Sequence, residues 1–217
     1  MKSLLLFAIF FVGLTGAALA QKAPELPADA SGKFTVQGTT IIYNTDNAHV
    51  GSFAEMESGD VEQFSALLAQ NPNAKVLQLN SVGGSVWAGE EMARIVMDYR
   101  LNTRVTGECS SSCVTLFLAG TRREMARGSS IGFHQNTWTA EGLRNYYKYW
   151  QNDESWHSPF EFGAWLYKDT QTEVHDHLVY MLARGVDPAF AIETKRERSS
   201  MWYPPRRQLE DAGVLRD

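Results

Sequence analysis

Between Lys75 and Gly120 the sequence switches its apolar period repeatedly, and a Gly/Ser corner marks each change from strand to helix. Lys75-Val76-Leu77-Gln78-Leu79-Asn80 reads as a strand and Ser81-Val82-Gly83-Gly84-Ser85 as a tight turn. Trp87 to Tyr99 then resumes helical spacing through Ala88, Met92, Ile95 and Val96. The pattern repeats at once. Thr103-Arg104-Val105-Thr106 is a short β-branched strand that stops at Gly107, a serine-bearing corner follows, and an apolar helix runs from Val114 to a cap at Gly120. Such alternation predicts an α/β layered fold with a mostly parallel sheet.

The flanks extend this frame. Phe34-Thr35-Val36 and Thr40-Ile41-Ile42-Tyr43 form a hairpin or one bent strand, while residues 44–58 carry no clear signal. Val61, Phe64, Leu67 and Leu68 are helically spaced behind a cap at Ser58 or Asp60. Ser130 to His134 is a further strand, Phe162 to Arg184 a helix ended by Gly185, and residues 201–205 an extended run. Asp187-Pro188 and Arg207-Gln208 open short helices. Residues 137–185 read as a helical appendage. Its aromatic part is either internally packed or a cover or oligomer surface over the site.

Residues 1–20 have the marks of a secretory signal peptide: Lys2, an apolar core from Leu4 to Leu14, and Ala18-Leu19-Ala20 before Gln21. The rival reading is an uncleaved N-terminal membrane anchor. Cleavage implies a periplasmic or secreted protein with a flexible leader over 21–33 and one domain over 34–217. A formal net charge of −5 argues against nucleic acid as partner. Cys109 and Cys113 bracket Ser111, and export favours a disulfide over two buried free thiols. Four residues apart within a regular helix they could not bond, so Cys109 must lie in the turn before it.

A Gly-Gly turn, a serine at a helix start and a strand-end histidine can together supply oxyanion donors, nucleophile and base. The alternative is a serine-rich cap on a core helix. His175 and His177 are two apart on a helix and face differently, while His49 and His157 lack ligand-spaced partners, so no metal site is expected. Arg122-Arg123 and Arg206-Arg207 read as solvated.

Asn80 to Val86, Gly107 to Gly120, and Ile131-Gly132-Phe133-His134-Gln135 resemble, in order and approximate spacing, three signatures of the Clp protease proteolytic subunit family. The resemblance spans about Val61 to Val214 and implies a ClpP/crotonase-like fold. It further implies a nucleophile at Ser111, a general base at His134, and oxyanion donors at the Gly84 and Ser112 amides. The flanking cysteines and signal peptide make the chain similar to the exported branch of that superfamily. The family's aspartate falls near Met201, where no carboxylate stands. Ser200 or Glu197 could replace it, a Ser-His dyad could suffice, or a lysine such as Lys148 or Lys168 could serve as base. The first expectation is an exported, ATP-independent serine peptidase acting on peptides or unfolded protein, without cofactor or ATPase partner, and self-associating. The others are a weakly active or inactive assembly or peptide-binding protein, and a crotonase-type acyl-CoA enzyme.

Overall fold

A computed structural model describes residues 31–216; the signal-peptide reading and residues 21–30 of the leader lie outside the described residues. The sheet has six strands: β1 (Phe34–Gln37), β2 (Thr40–Asn44), β3 (Val76–Ser81), β4 (Asn102–Ser110), β5 (Arg123–Met125) and β6 (Ser130–Gly132). Its order is β1-β2-β3-β4-β5, with β6 also pairing β4. Among the described strand pairs β1–β2 is the antiparallel one, and the others are parallel. The sheet forks at β4, because β5 pairs Thr103–Val105 and β6 pairs Glu108–Ser110. This is the mostly parallel α/β architecture the alternating periods predict.

Helices α1 (Ser58–Gln70), α2 (Val86–Asp98) and α3 (Ser112–Leu118) are the crossovers between parallel strands. Strand β3 alternates, burying Leu77, Leu79 and Ser81. Helix α2 buries Ala88, Gly89, Met92, Ala93 and Val96, an apolar stripe at helical spacing. Gly89 is the contact point, since a Cβ there would lie 2.9 Å from the Ser112 carbonyl oxygen. The cap of α1 is Glu57, not Ser58 or Asp60; Asp60 is the reciprocal partner of its capping box.

Two glycines read as punctuation are instead close approaches. Gly107 does not stop β4. The strand runs on to Ser110, and the β3–β4 register shifts beside Gly107. There the Asn80 side chain accepts the Glu108 N–H at 2.8 Å, and a Cβ on Gly107 would collide with Asn80. Gly120 follows the α3 cap, where a Cβ would meet Thr103 Oγ1.

The ordered body begins before Phe34. Ser31 and Lys33, assigned from composition to the flexible leader, are buried. Lys33 Nζ reaches Glu57 at 2.7 Å, Asp60 at 3.1 Å and the Glu55 carbonyl at 2.7 Å. Arg123, read as solvated, is 1% exposed. It donates to the carbonyls of Leu118, Arg184 and Gly213, tying the end of α3 to the C-terminal segment. Beyond the sheet lie α4 (Ala140–Trp150), α5 (Pro159–Ala183), α6 (Pro188–Glu193) and α7 (Arg206–Asp211). The appendage is smaller than 137–185, because the last turns of α5 bring Leu178, Tyr180 and Met181 onto the core. Among the described residues no helix is long and apolar enough to cross a membrane.

Candidate active site

Ser111 is the single residue between β4 and α3, with φ 56° and ψ −129°. A non-glycine residue held there costs about 1–3 kcal/mol, so the surroundings must impose it. They do so from three sides. The Ser111 N–H donates to the Gly132 carbonyl of β6 at 3.1 Å. The disulfide Cys109–Cys113 closes the corner, with Cys109 in the strand ahead of the turn and Cys113 in the helix. Gly83 packs against the corner so tightly that a Cβ on it would lie 2.6 Å from the Ser110 carbonyl oxygen and 2.8 Å from Ser111 Cβ.

Helix α3 is held at its other end by side-chain donors. Thr103 Oγ1 donates to the Phe117 carbonyl, Tyr180 OH to that of Thr115, and Arg184 to those of Leu118, Ala119 and Gly120. Carbonyls left over at a buried helix C-terminus need such partners, and cations suit them. The helix that begins at Ser112 is thus fixed relative to the sheet.

His134 stands two residues beyond β6. The preceding Phe133 exchanges both backbone hydrogen bonds with Trp202 and packs its ring edge-to-face with Phe190 and tilted against Trp202, which anchors the approach. His134 Nε2 lies 2.7 Å from Ser111 Oγ. His134 Nδ1 lies 2.9 Å from the Gln135 carbonyl oxygen. A carbonyl can only accept, so that bond puts the proton on Nδ1 and leaves the Nε2 lone pair facing the serine hydroxyl. The imidazole is thereby set in the form that can take the serine proton, with a main-chain oxygen at the nitrogen that Ser200 or Glu197 was the candidate to orient. Ser200 and Glu197 make no hydrogen bond to His134 among the described residues. Met201 lies beside Gly132, and Lys148 and Lys168 are exposed on α4 and α5.

The Gly84 N–H has no hydrogen-bond partner among the described residues, although Met56 bridges the backbone on either side of it. A Cβ on Gly84 would lie 2.4 Å from the Met56 carbonyl oxygen, which excludes any other residue there. The Ser112 N–H opens α3 and has no intrahelical acceptor.

A cleft beside the serine is lined by Asn136, His177, Thr194 and Lys195 as well as by Ser111 and His134. Burial pulls His177 down to about 4, with Lys195 acting in the same direction. Lys195 is also lowered by burial, against a smaller opposing pull from Glu173. Neither side chain was singled out as a site residue, because α5 and the segment after α6 reach the cleft only through tertiary packing. Nearby, Glu108 accepts hydrogen bonds from Ser110 and Tyr203, the latter at 2.6 Å. Among the described residues no group of three or more potential metal ligands forms.

No protein-family model matches the chain, and no curated protein matches it by sequence. Among solved structures it is similar to a ClpP1 mutant from Listeria monocytogenes, with a TM-score of 0.53 and 15% identity. The alignment covers 74% of this chain and 84% of that one. The fold is therefore ClpP-like.

Proposed function

We propose that the protein is an exported serine hydrolase, a peptidase working without an ATPase partner on peptides or unfolded segments. The observation that carries this reading is a serine on a left-handed corner, 2.7 Å from a histidine whose other nitrogen faces a carbonyl. In this reading Ser111 Oγ attacks the acyl carbon while its proton passes to His134 Nε2, and the carbonyl oxygen becomes an oxyanion. The Gly84 and Ser112 amides donate to that oxyanion. His134 then returns the proton to the leaving amine as the C–N bond breaks. A water, deprotonated by His134, then attacks the acyl carbon, and as the bond to Ser111 Oγ breaks His134 returns the proton to Oγ, freeing the acid.

The Gln135 carbonyl orients the imidazole but carries no full charge to stabilise the imidazolium. Turnover below that of a Ser-His-Asp enzyme follows, because the carboxylate's contribution can reach several orders of magnitude. That same feature favours the second reading, a peptide-binding or assembly protein with a vestigial site. The proposed organisation is a signal peptide over 1–20 and one ClpP/crotonase-like domain that self-associates. A fluorophosphonate probe tests the hydrolase reading: labelling of the wild type and none of Ser111→Ala supports it, and no labelling of either rejects it.

A further inference from the structure

Lys195 and His177 stand out because neither has a protein partner among the described residues. Both are only partly exposed, both line the cleft that holds Ser111 and His134, and neither side chain has a hydrogen bond or ion pair among the described residues. Lys33 is matched with two carboxylates and Arg184 with carbonyls, while Arg123 gives its Nη groups to three carbonyls and keeps its Nε without a partner among the described residues. The acid nearest in effect to Lys195 is Glu173, whose carboxylate is engaged by Asn136 Nδ2. A half-buried ammonium with no protein counter-charge is available to a ligand that brings an anion, and closing the cleft over that pair strengthens their attraction. The cleft has a free volume of about 30 Å³, room for about two water-sized groups. A carboxylate group is of that size.

We propose that Lys195 and His177 form a carboxylate-recognition subsite beside Ser111, so that favoured acyl donors carry an anionic group next to the scissile bond. Lys195 supplies the charge and His177 a ring N–H beside it, whereas the Thr194 hydroxyl is already committed to the Ala191 carbonyl at 2.7 Å. The ligand's carboxylate is either an acidic side chain or a free chain terminus, which present the same chemistry to the lysine. This inference deepens the hydrolase reading and rests on it for the word substrate. The binding step stands by itself.

The test separates the two. The ligands are N-acetylglutamate α-amide, which carries only a side-chain carboxylate, N-acetylleucine, which carries only a terminal one, and N-acetylglutamine amide, which carries none. Their binding to the full chain is read from the His177 ring signals by NMR, and from slowing of fluorophosphonate labelling at Ser111. At least one acid should bind ten-fold or more tightly than the neutral ligand, and the tighter acid identifies the source. Lys195→Met should abolish that preference and Lys195→Arg should retain part of it. Equal binding of all three ligands, or a preference that survives Lys195→Met, overturns the subsite. If Ser111 never reacts with the probe, the hydrolase reading falls, and the NMR arm still decides whether the carboxylate site exists.

Discussion

Lys33 and Lys195 are both drawn out of bulk water, and the fold treats them oppositely. Lys33 is 1% exposed and enclosed by Glu57, Asp60 and the Glu55 carbonyl, while Tyr43 OH donates to the same Asp60 carboxylate at 2.7 Å. Lys195 keeps partial exposure and has no such cage. A caged ammonium ties β1, α1 and the 53–57 segment together and has nothing left to offer a ligand. An uncaged one in the cleft beside Ser111 keeps its charge available.

The same substitution at both lysines breaks or sharpens this contrast. Lys33→Met strands Glu57 and Asp60 opposite a thioether and should cost about 3–5 kcal/mol of stability in urea unfolding. Next in size is the response to acid. His177 is depressed to about 4 in the folded chain, against about 6.5 when unfolded. The unfolded chain therefore binds the proton first, and the stabilisation present above about pH 6.5 declines as pH falls toward 4, by up to about 3 kcal/mol. His177→Gln should flatten that part of the pH profile. Glu57, lowered chiefly by its Lys33 hydrogen bond, loses stability in the same direction at lower pH.

Opening the Cys109–Cys113 bridge by a double Cys→Ala change should cost about 2 kcal/mol through the freed unfolded chain. It should also slow labelling of Ser111, whose corner the bridge closes. At the corner itself, Ser111→Gly should be more stable than Ser111→Ala by about 1 kcal/mol, because only glycine is at ease at positive φ. Equal stabilities would mean the corner is unstrained. The smallest effect belongs to Lys195→Met, expected within about 0.5 kcal/mol of wild type or above it. A loss as large as that of Lys33→Met would show that Lys195 is a structural cation and end the comparison.

The layered fold was legible in the sequence because its signal is local: period-two runs, period-3.6 runs and glycine corners alternate along the chain. Ser111, His134 and the Gly83-Gly84 turn were legible as candidates for the same reason, each sitting at the end of a strand. The left-handed geometry at Ser111 was not, since no residue type announces it when the residue is serine. A main-chain carbonyl serving His134 leaves no trace in composition, because any residue type at position 135 would present the same oxygen. Lys33 was hidden by its Pro/Ala-rich surroundings, and Arg123 by its resemblance to a surface pair. Their burial depends on carboxylates and carbonyls distant in sequence. Strand β5 was missed because three residues, two of them charged, carry no alternating signal. His177 and Lys195 meet Ser111 only after α5 and α6 have packed.

The central claim is that the Ser111 hydroxyl is made nucleophilic by His134. Mapping a fluorophosphonate adduct by peptide mass spectrometry in wild type and His134→Ala tests it directly. The adduct should fall on Ser111 in the wild type and form at least a hundred-fold more slowly in the variant, on the order expected for losing a general base. An adduct on another residue, or one on Ser111 that forms equally fast without the imidazole, would contradict the account.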